Sequence, residues 1–230
     1  VVGCAVNPAV RHETKEPIGK APVAKKIAVV GGGVAGMEFA RTAKMRGHEV
    51  TIYEKSGRLG GLQIPAGAHE FKKHNHMLVE WYRREMDDLK IPVEYNCEMT
   101  PDKLKELAPD IAILATGSVA VMPRSIAGID HPKCASAVDM LDGKVEVGQK
   151  VVVVGGGLVG CETAIDLAMH GKEVTLVEAS DAILSASAMI AIMVAQMIPD
   201  LIEHYHVKVL TGHKIEAIND QGAVVSPVKG

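Results

Sequence analysis

Short apolar runs bounded by glycines alternate with longer, mixed stretches along most of this chain. "KKIAVV" ends on a glycine cluster, the pattern of a strand covered on both faces. "AGMEFARTAKMRG" follows with helical spacing, and Gly47 closes it at the left-handed position that favours glycine. "HEVTIYE" is the next strand, so the segment from Lys25 reads as a βαβ unit. Further on, the pattern predicts a helix over His76 to Lys90, a strand-like "PVEYNCEMT", and a buried strand in "PDIAILATG" (Pro109 to Gly117) running into a turn of small residues. "SVAVMPRSIAGIDHP" reads as a crossover. An apolar helix is expected near Ala182 to Ile198, then a strand in "HYHVKVL" and a hairpin in "KIEAINDQGAVV". Residues 1–24 carry Pro8, Pro17 and Pro22 without a sustained period and read as a linker or arm.

Displaced by 124 residues, the chain repeats itself. "KKIAVVGGGVAGMEFARTAKMRGHEVTIYE" lies over "QKVVVVGGGLVGCETAIDLAMHGKEVTLVE" with identity at about half the positions. That spacing is far longer than the roughly 20–50 residues of a solenoid repeat. Two similar domains, or one set inside the other, are expected.

Each copy carries G-x-G-x-x-G between a strand and a helix. In that fingerprint the first glycine makes a tight turn, the second lets a diphosphate approach the backbone, and the third lets helix and strand pack closely. The anion then sits at the helix N-terminus, where unpaired N–H groups and the helix dipole favour negative charge. An acid at the end of the second strand accepts from the adenosine ribose. Gly31, Gly33 and Gly36 with Glu54 meet these terms, as do Gly155, Gly157 and Gly160 with Glu178. A carboxylate at Glu178 repels a 2′-phosphate, and "EASDAILSAS" supplies no Arg or Lys to neutralise one. The second site is therefore expected to take NADH rather than NADPH.

Composition narrows the class without adding chemistry. With 47% hydrophobic residues, 23% charged and a net charge of −3, the chain reads as an ordinary globular protein. Its lysines and arginines form no stripe, so nucleic acid is not an expected partner. "AILSASAMIAIMVAQMI" is too short and too rich in serine to span a bilayer, and no signal peptide is evident. A cytoplasmic location is the expectation.

Cys4, Cys97, Cys134 and Cys161 form no CxxC or CxxxxC pair, which offers neither a zinc knuckle nor a dithiol centre. Cys161, one residue beyond Gly160, reads as packing, and Cys97 and Cys134 as structural. His69, His74 and His76 read as a solvated loop rather than a metal site. His204 and His206 are expected on one face of a strand at the surface, with no third ligand. Met189, Met193 and Met197 recur at helical spacing, which points first to core packing. On the alternative, they cover surface meant for another part of a larger enzyme, and the chain self-associates.

The paired glycine motifs, "RLGG" (Arg58 to Gly61) and "ATG" (Ala115 to Gly117) together resemble the two-dinucleotide-binding-domain flavoproteins, among them the pyridine nucleotide-disulfide oxidoreductases. The resemblance covers nearly the whole chain from Lys25. "CAVNPAVRHE" ahead of the first motif is similar to the C-terminal half of the old-yellow-enzyme-related NADH:flavin oxidoreductases. These include 2-enoate reductase, 2,4-dienoyl-CoA reductase and trimethylamine dehydrogenase. In that family a TIM barrel carries FMN, and a [4Fe–4S] cluster bridges it to the FAD/NAD half. Cys4 matches the last cluster cysteine of the family but alone cannot hold a cluster. Arg11 and His12 depart from the family's usual residues.

The resemblance implies an α/β fold with two Rossmann-like dinucleotide-binding domains. It assigns residues 1–24 to the arm, 25–123 to the first part of an FAD-binding domain, 124–147 to the crossover and 148–230 to an NAD(H)-binding domain. The FAD domain is expected to lack its C-terminal return segment, which weakens its hold on FAD. Gly31, Gly33, Val34, Ala35, Gly36, Glu54, Lys55, Gly61 and Leu62 are implied to touch FAD, with Ala115, Thr116 and Gly117 near its diphosphate. Met99 is implied to present its backbone to the adenine. Gly155, Gly157, Leu158, Val159, Gly160 and Glu178 are implied to hold NADH.

The implied activity is hydride transfer from NADH to FAD. Electrons then pass to an FMN/[4Fe–4S] barrel outside this chain that reduces an activated alkene of the enoate type. No catalytic side chain is expected here, and no metal ligand. The alternatives are a non-catalytic module binding ADP or NAD, and another two-domain NADH:acceptor flavoprotein. The absent dithiol argues against a disulfide reductase.

Overall fold

The computed structural model describes residues 3–4, 6–14, 17–185 and 190–228. Their contacts group into two compact units, one of residues 1–67 and 72–119, the other of 68–71 and 120–230.

The first unit is built on a parallel four-stranded sheet. Strand β1 (Lys26–Val30) leads through helix α1 (Val34–Met45) to β2 (Glu49–Tyr53), and Gly47 between them has φ 94°. A short helix α2 (Gln63–Ala66) and the long α3 (Asn75–Asp88) follow, then β3 (Val93–Glu94), α4 (Pro101–Leu107) and β4 (Ile111–Leu114). The strand order is β3-β2-β1-β4. All four positions after Lys26 on β1 are buried, as its unbroken apolar run predicts. Met37, Ile52, Met86, Val29 and Val50 pack together at the centre. Thr100 caps α4 by accepting from the Lys103 N–H at 3.2 Å.

The second unit opens with helix α5 (Ala137–Leu141) and repeats the βαβ pattern: β5 (Lys150–Val154), α6 (Leu158–Met169), β6 (Glu173–Val177). Helix α7 (Ile192–His204) leads to β7 (Lys208–Leu210), giving a parallel sheet of order β5-β6-β7. The hairpin of β8 (His213–Asn219) and β9 (Gly222–Pro227) is antiparallel, as predicted. The crossover segment runs beside it, with Ala127 bridged to Ala217 and the Ile218 N–H donating to the Ala127 carbonyl at 2.8 Å.

Several expectations are corrected. "PVEYNCEMT" contributes only Val93 and Glu94 to a ladder. In "PDIAILATG" the strand is not buried on both faces: Ile111 and Ile113 face the core, while Ala112 and Leu114 are exposed, because β4 is an edge strand. The helix expected near Ala182 to Ile198 begins at Ile192 and continues to His204, since residues 181–185 turn back onto the second glycine loop. His204 therefore lies in the last turn of α7 and His206 in a left-handed turn (φ 54°), so they share no strand face. Met193 (81% exposed) and Met197 face outward rather than into the core, and Met189 lies outside the described residues. The stripe that packs is instead the Ile198 and Ile202 face of the helix.

His69 also departs from its polar surroundings. It is 2% exposed, and its Nδ1 lies 3.7 Å from Asp166 Oδ1 on α6 within the second unit. The Phe71 ring stacks on it at 5.1 Å. His74 and His76 are exposed, as expected. No described helix is long and apolar enough to cross a membrane, and no cluster of metal-ligating side chains occurs among the described residues.

Candidate functional site

Each βαβ unit ends its first strand in a glycine loop, and the two loops have the same geometry. Gly31 has φ 109° and Gly155 φ 102°, in the region that a side chain rarely adopts. A Cβ on Gly31 would stand 2.4 Å from the Ala115 carbonyl oxygen, so this turn requires glycine for space as well. The third glycine brings the helix onto the loop: a Cβ on Gly36 would lie 2.0 Å from the Gly31 oxygen, and one on Gly160 1.9 Å from the Gly155 oxygen. The roles that the fingerprint assigns to these glycines are thus visible as backbone approaches.

Beyond the loops, both helices start with donors to spare. The first intrahelical bond of α1 runs from the Met37 N–H to the Gly33 carbonyl at 2.9 Å, and that of α6 from Cys161 to Gly157 at 2.9 Å. The N–H groups of Val34, Ala35 and Gly36, and of Leu158, Val159 and Gly160, precede those bonds. Neither helix has a side-chain cap or an acid in its first turn, which leaves the helix end open to an anion. A Cβ built on Gly33 would meet the Gly61 Cα at 4.0 Å and no side chain, so no side chain crowds this backbone. These features fit a dinucleotide diphosphate.

The acids hold the loops. Glu54, buried at the end of β2, accepts from the Gly32 N–H at 2.6 Å and from the Ser56 N–H at 2.8 Å. Glu178 accepts from Gly156 at 2.6 Å and Ser180 at 2.7 Å. Burial raises the Glu178 pKa, but the donors from Ser180, Gly156 and Ala179 outweigh it, so the group titrates below the ordinary glutamate value. It remains an anion at neutral pH.

The "RLGG" turn closes over the first loop. Leu59 is buried, Gly60 bridges to Gly33 and donates to the Gly32 carbonyl at 2.9 Å, and Gly61 lies against Gly33, where a Cβ would meet the Gly33 Cα at 3.1 Å. The structure thus gathers Gly31, Gly33, Gly36, Glu54, Gly61 and Ala115 at the end of β1. Thr116 and Gly117 (φ 68°) continue from β4 beside it, Leu62 opens α2, and Lys55 is exposed next to Glu54. Met99 lies two residues beyond Cys97, whose N–H donates to the Glu54 carbonyl at 2.9 Å.

Two contributors were not singled out from sequence. Gly32 and Gly156 occupy a position at which the fingerprint accepts any residue. Leu184 donates to the Gly156 carbonyl at 2.7 Å, as Gly60 does to Gly32, so the repeat extends past the aligned stretch. The alignment of 60 with 184 was available as a signal, masked because glycine is matched there by leucine.

Cys161 is fully buried with its Sγ 3.4 Å from the Gly156 oxygen. Burial, and behind it the charges of Glu178 and Glu162, push its thiol up to about 11. It packs the loop and is not a thiolate nucleophile.

A parallel sheet, a crossover helix and a glycine loop facing an acid define a Rossmann-like FAD/NAD(P)-binding fold. The chain belongs to the family described as pyridine nucleotide-disulphide oxidoreductase, whose sequence pattern matches residues 25–230, with an overlapping match over 8–86. It is 42% identical over 225 residues to cinnamate reductase of Clostridium sporogenes, covering 98% of this chain and 33% of that protein. It is 32% identical over 229 residues to bilirubin reductase of Mediterraneibacter gnavus, covering 100% of this chain and 35% of that protein. Among solved structures, 2-naphthoyl-CoA reductase in complex with 2-naphthoyl-CoA superposes with a TM-score of 0.88 at 36% identity, covering 99% of this chain and 34% of that one. The chain is homologous to the C-terminal part of such multidomain reductases and spans about a third of their length. The family typically binds FAD and NAD(P)H.

Proposed function

We propose that the first glycine loop holds FAD, that the second holds NADH, and that the chain passes reducing equivalents from the second to the first. The observation that carries this reading is the duplicated clasp of glycine loop, open helix N-terminus and anchored glutamate. When bound, FAD supplies a ring that accepts a hydride and releases its electrons singly.

The residues of the chain bind and orient. The first-turn N–H groups at Val34 to Gly36 and at Leu158 to Gly160 face the diphosphates. Glu54 and Glu178 accept ribose hydroxyls, and the charge of Glu178 disfavours a 2′-phosphate. No side chain of this chain is assigned an acid–base step. FAD at the first loop and a domain boundary near residue 123 follow from the motif order that the resemblance implies. The named relatives act on cinnamate, bilirubin and 2-naphthoyl-CoA. That range supports an activated alkene or conjugated acceptor as the final substrate, reduced by an FMN/[4Fe–4S] barrel of the whole enzyme.

The test is selective loss. Glu178→Ala should weaken NADH at least about tenfold more than FAD, and Glu54→Ala the reverse, measured by calorimetry and flavin absorbance. Equal loss of both cofactors in either variant would contradict the assignment of one cofactor to each loop.

A further inference from the structure

Each motif carries a glycine that the fingerprint does not require: Gly32 between Gly31 and Gly33, and Gly156 between Gly155 and Gly157. The peptide groups of both are taken from two sides. Gly32 donates its N–H to Glu54 Oε2 at 2.6 Å, and its carbonyl accepts from Gly60 at 2.9 Å. Gly156 donates to Glu178 Oε2 at 2.6 Å, and its carbonyl accepts from Leu184 at 2.7 Å. The second oxygen of each carboxylate is tied down by the N–H two residues on, that of Ser56 or Ser180. The third dimension is closed as well. A Cβ on Gly32 would stand 2.4 Å from Leu59 Cδ2, and one on Gly156 3.0 Å from Glu178 Cβ and from Ile183 Cγ2. All of these partners recur at the same offset, so the molecule contains the arrangement twice.

We infer that Glu54 and Glu178 are positioning residues that lock the glycine loops in their binding shape before any dinucleotide arrives, separately from any contact they make to a ribose. Glycine loses more conformational freedom on ordering than any other residue, so a free run of three would oppose binding. A charge-assisted hydrogen bond from the middle glycine to a buried or half-buried carboxylate meets that cost at folding instead. The same lock withdraws the Gly32 and Gly156 N–H groups from the diphosphate and leaves the helix first turns as its donors.

The inference rests on the dinucleotide reading of these loops, and the test separates the two. ADP and 2′,3′-dideoxy-ADP are titrated into the protein and into its E54A and E178A variants, and Gly156 amide exchange is followed by NMR without nucleotide. Each variant should weaken one site for dideoxy-ADP about tenfold, although that probe has no ribose hydroxyl for a carboxylate to accept. In free E178A the Gly156 amide should exchange at least about tenfold faster, while amides of the buried Ile165 and Leu176 keep their protection. E178Q keeps one acceptor oxygen and should restore most of the Gly156 protection, which also carries the test if E178A loses its core. Variants that bind dideoxy-ADP as tightly as the parent, or unchanged Gly156 exchange, overturn the lock. If the parent binds neither nucleotide, the dinucleotide reading fails. The exchange rates then decide alone: acceleration in E178A upholds the lock and its absence overturns it.

Discussion

Leu184 gives its N–H to the Gly156 carbonyl at 2.7 Å with a φ of 61°, in the place that Gly60 fills beside Gly32 with a φ of 124°. One contact is thus made twice, once by a residue suited to a positive φ and once by a residue strained there. The side chain of Leu184 packs on the second core, whereas a Cβ on Gly60 would press Val79 Cγ1 at 2.8 Å.

The two positions should therefore respond unequally. Gly60→Ala combines backbone strain with overpacking and should destabilise the first unit by about 3 kcal/mol. Leu184→Gly exchanges lost packing for relieved strain and should cost only about 1 kcal/mol. Urea unfolding measures both, and equal losses would contradict the asymmetry.

The His69–Asp166 pair gives a second prediction. Burial pushes the Asp166 carboxyl up, but the His69 imidazole first, then His170 and the Glu70 N–H, bring it below its ordinary value of 3.8. The unfolded chain therefore takes up this proton before the folded one does. The contribution is present above that ordinary value and is lost as the pH falls through the lowered one. Asp166→Asn should flatten the acid limb of the stability curve below pH 3.8. His69→Ala removes a buried ring from beside this carboxylate, which keeps His170 and the Glu70 N–H, and should cost about 2 kcal/mol. Parallel acid limbs in the parent and Asp166→Asn would rule out the pair as their cause.

Thiol reactivity gives a third. At pH 8 the exposed Cys4 should react with an aromatic disulfide reagent in the native protein, whereas Cys161, buried and pushed up to about 11, should react only after unfolding. Mass spectrometry of labelled peptides reads the order. Native modification of Cys161 as fast as that of Cys4 would contradict its packing role.

Both βαβ units were legible because their signals are local. An unbroken apolar run, a fingerprint and an acid eighteen residues on from Gly36 need no knowledge of distant contacts. What escaped depends on partners far along the chain. His69 sits among lysines and histidines and reads as solvated, yet its partner Asp166 lies 97 residues further along the chain, on α6. The start of α7 was hidden because Asp181 to Ser185 are apolar enough for a helix but are drawn onto the Gly156 carbonyl through Leu184. Gly32 and Gly156 were overlooked because their demand comes from a glutamate 22 residues later, not from the motif.

The proposed division of work between the two loops is open to one direct titration. The protein is incubated with FAD, freed of excess, and titrated with NADH without oxygen while the flavin band near 450 nm is followed. The protein should be yellow and bleach with about one equivalent of NADH, and an E178A variant should stay yellow at the same NADH concentration. A protein that retains no FAD, or a bound flavin that NADH leaves oxidised, would contradict it.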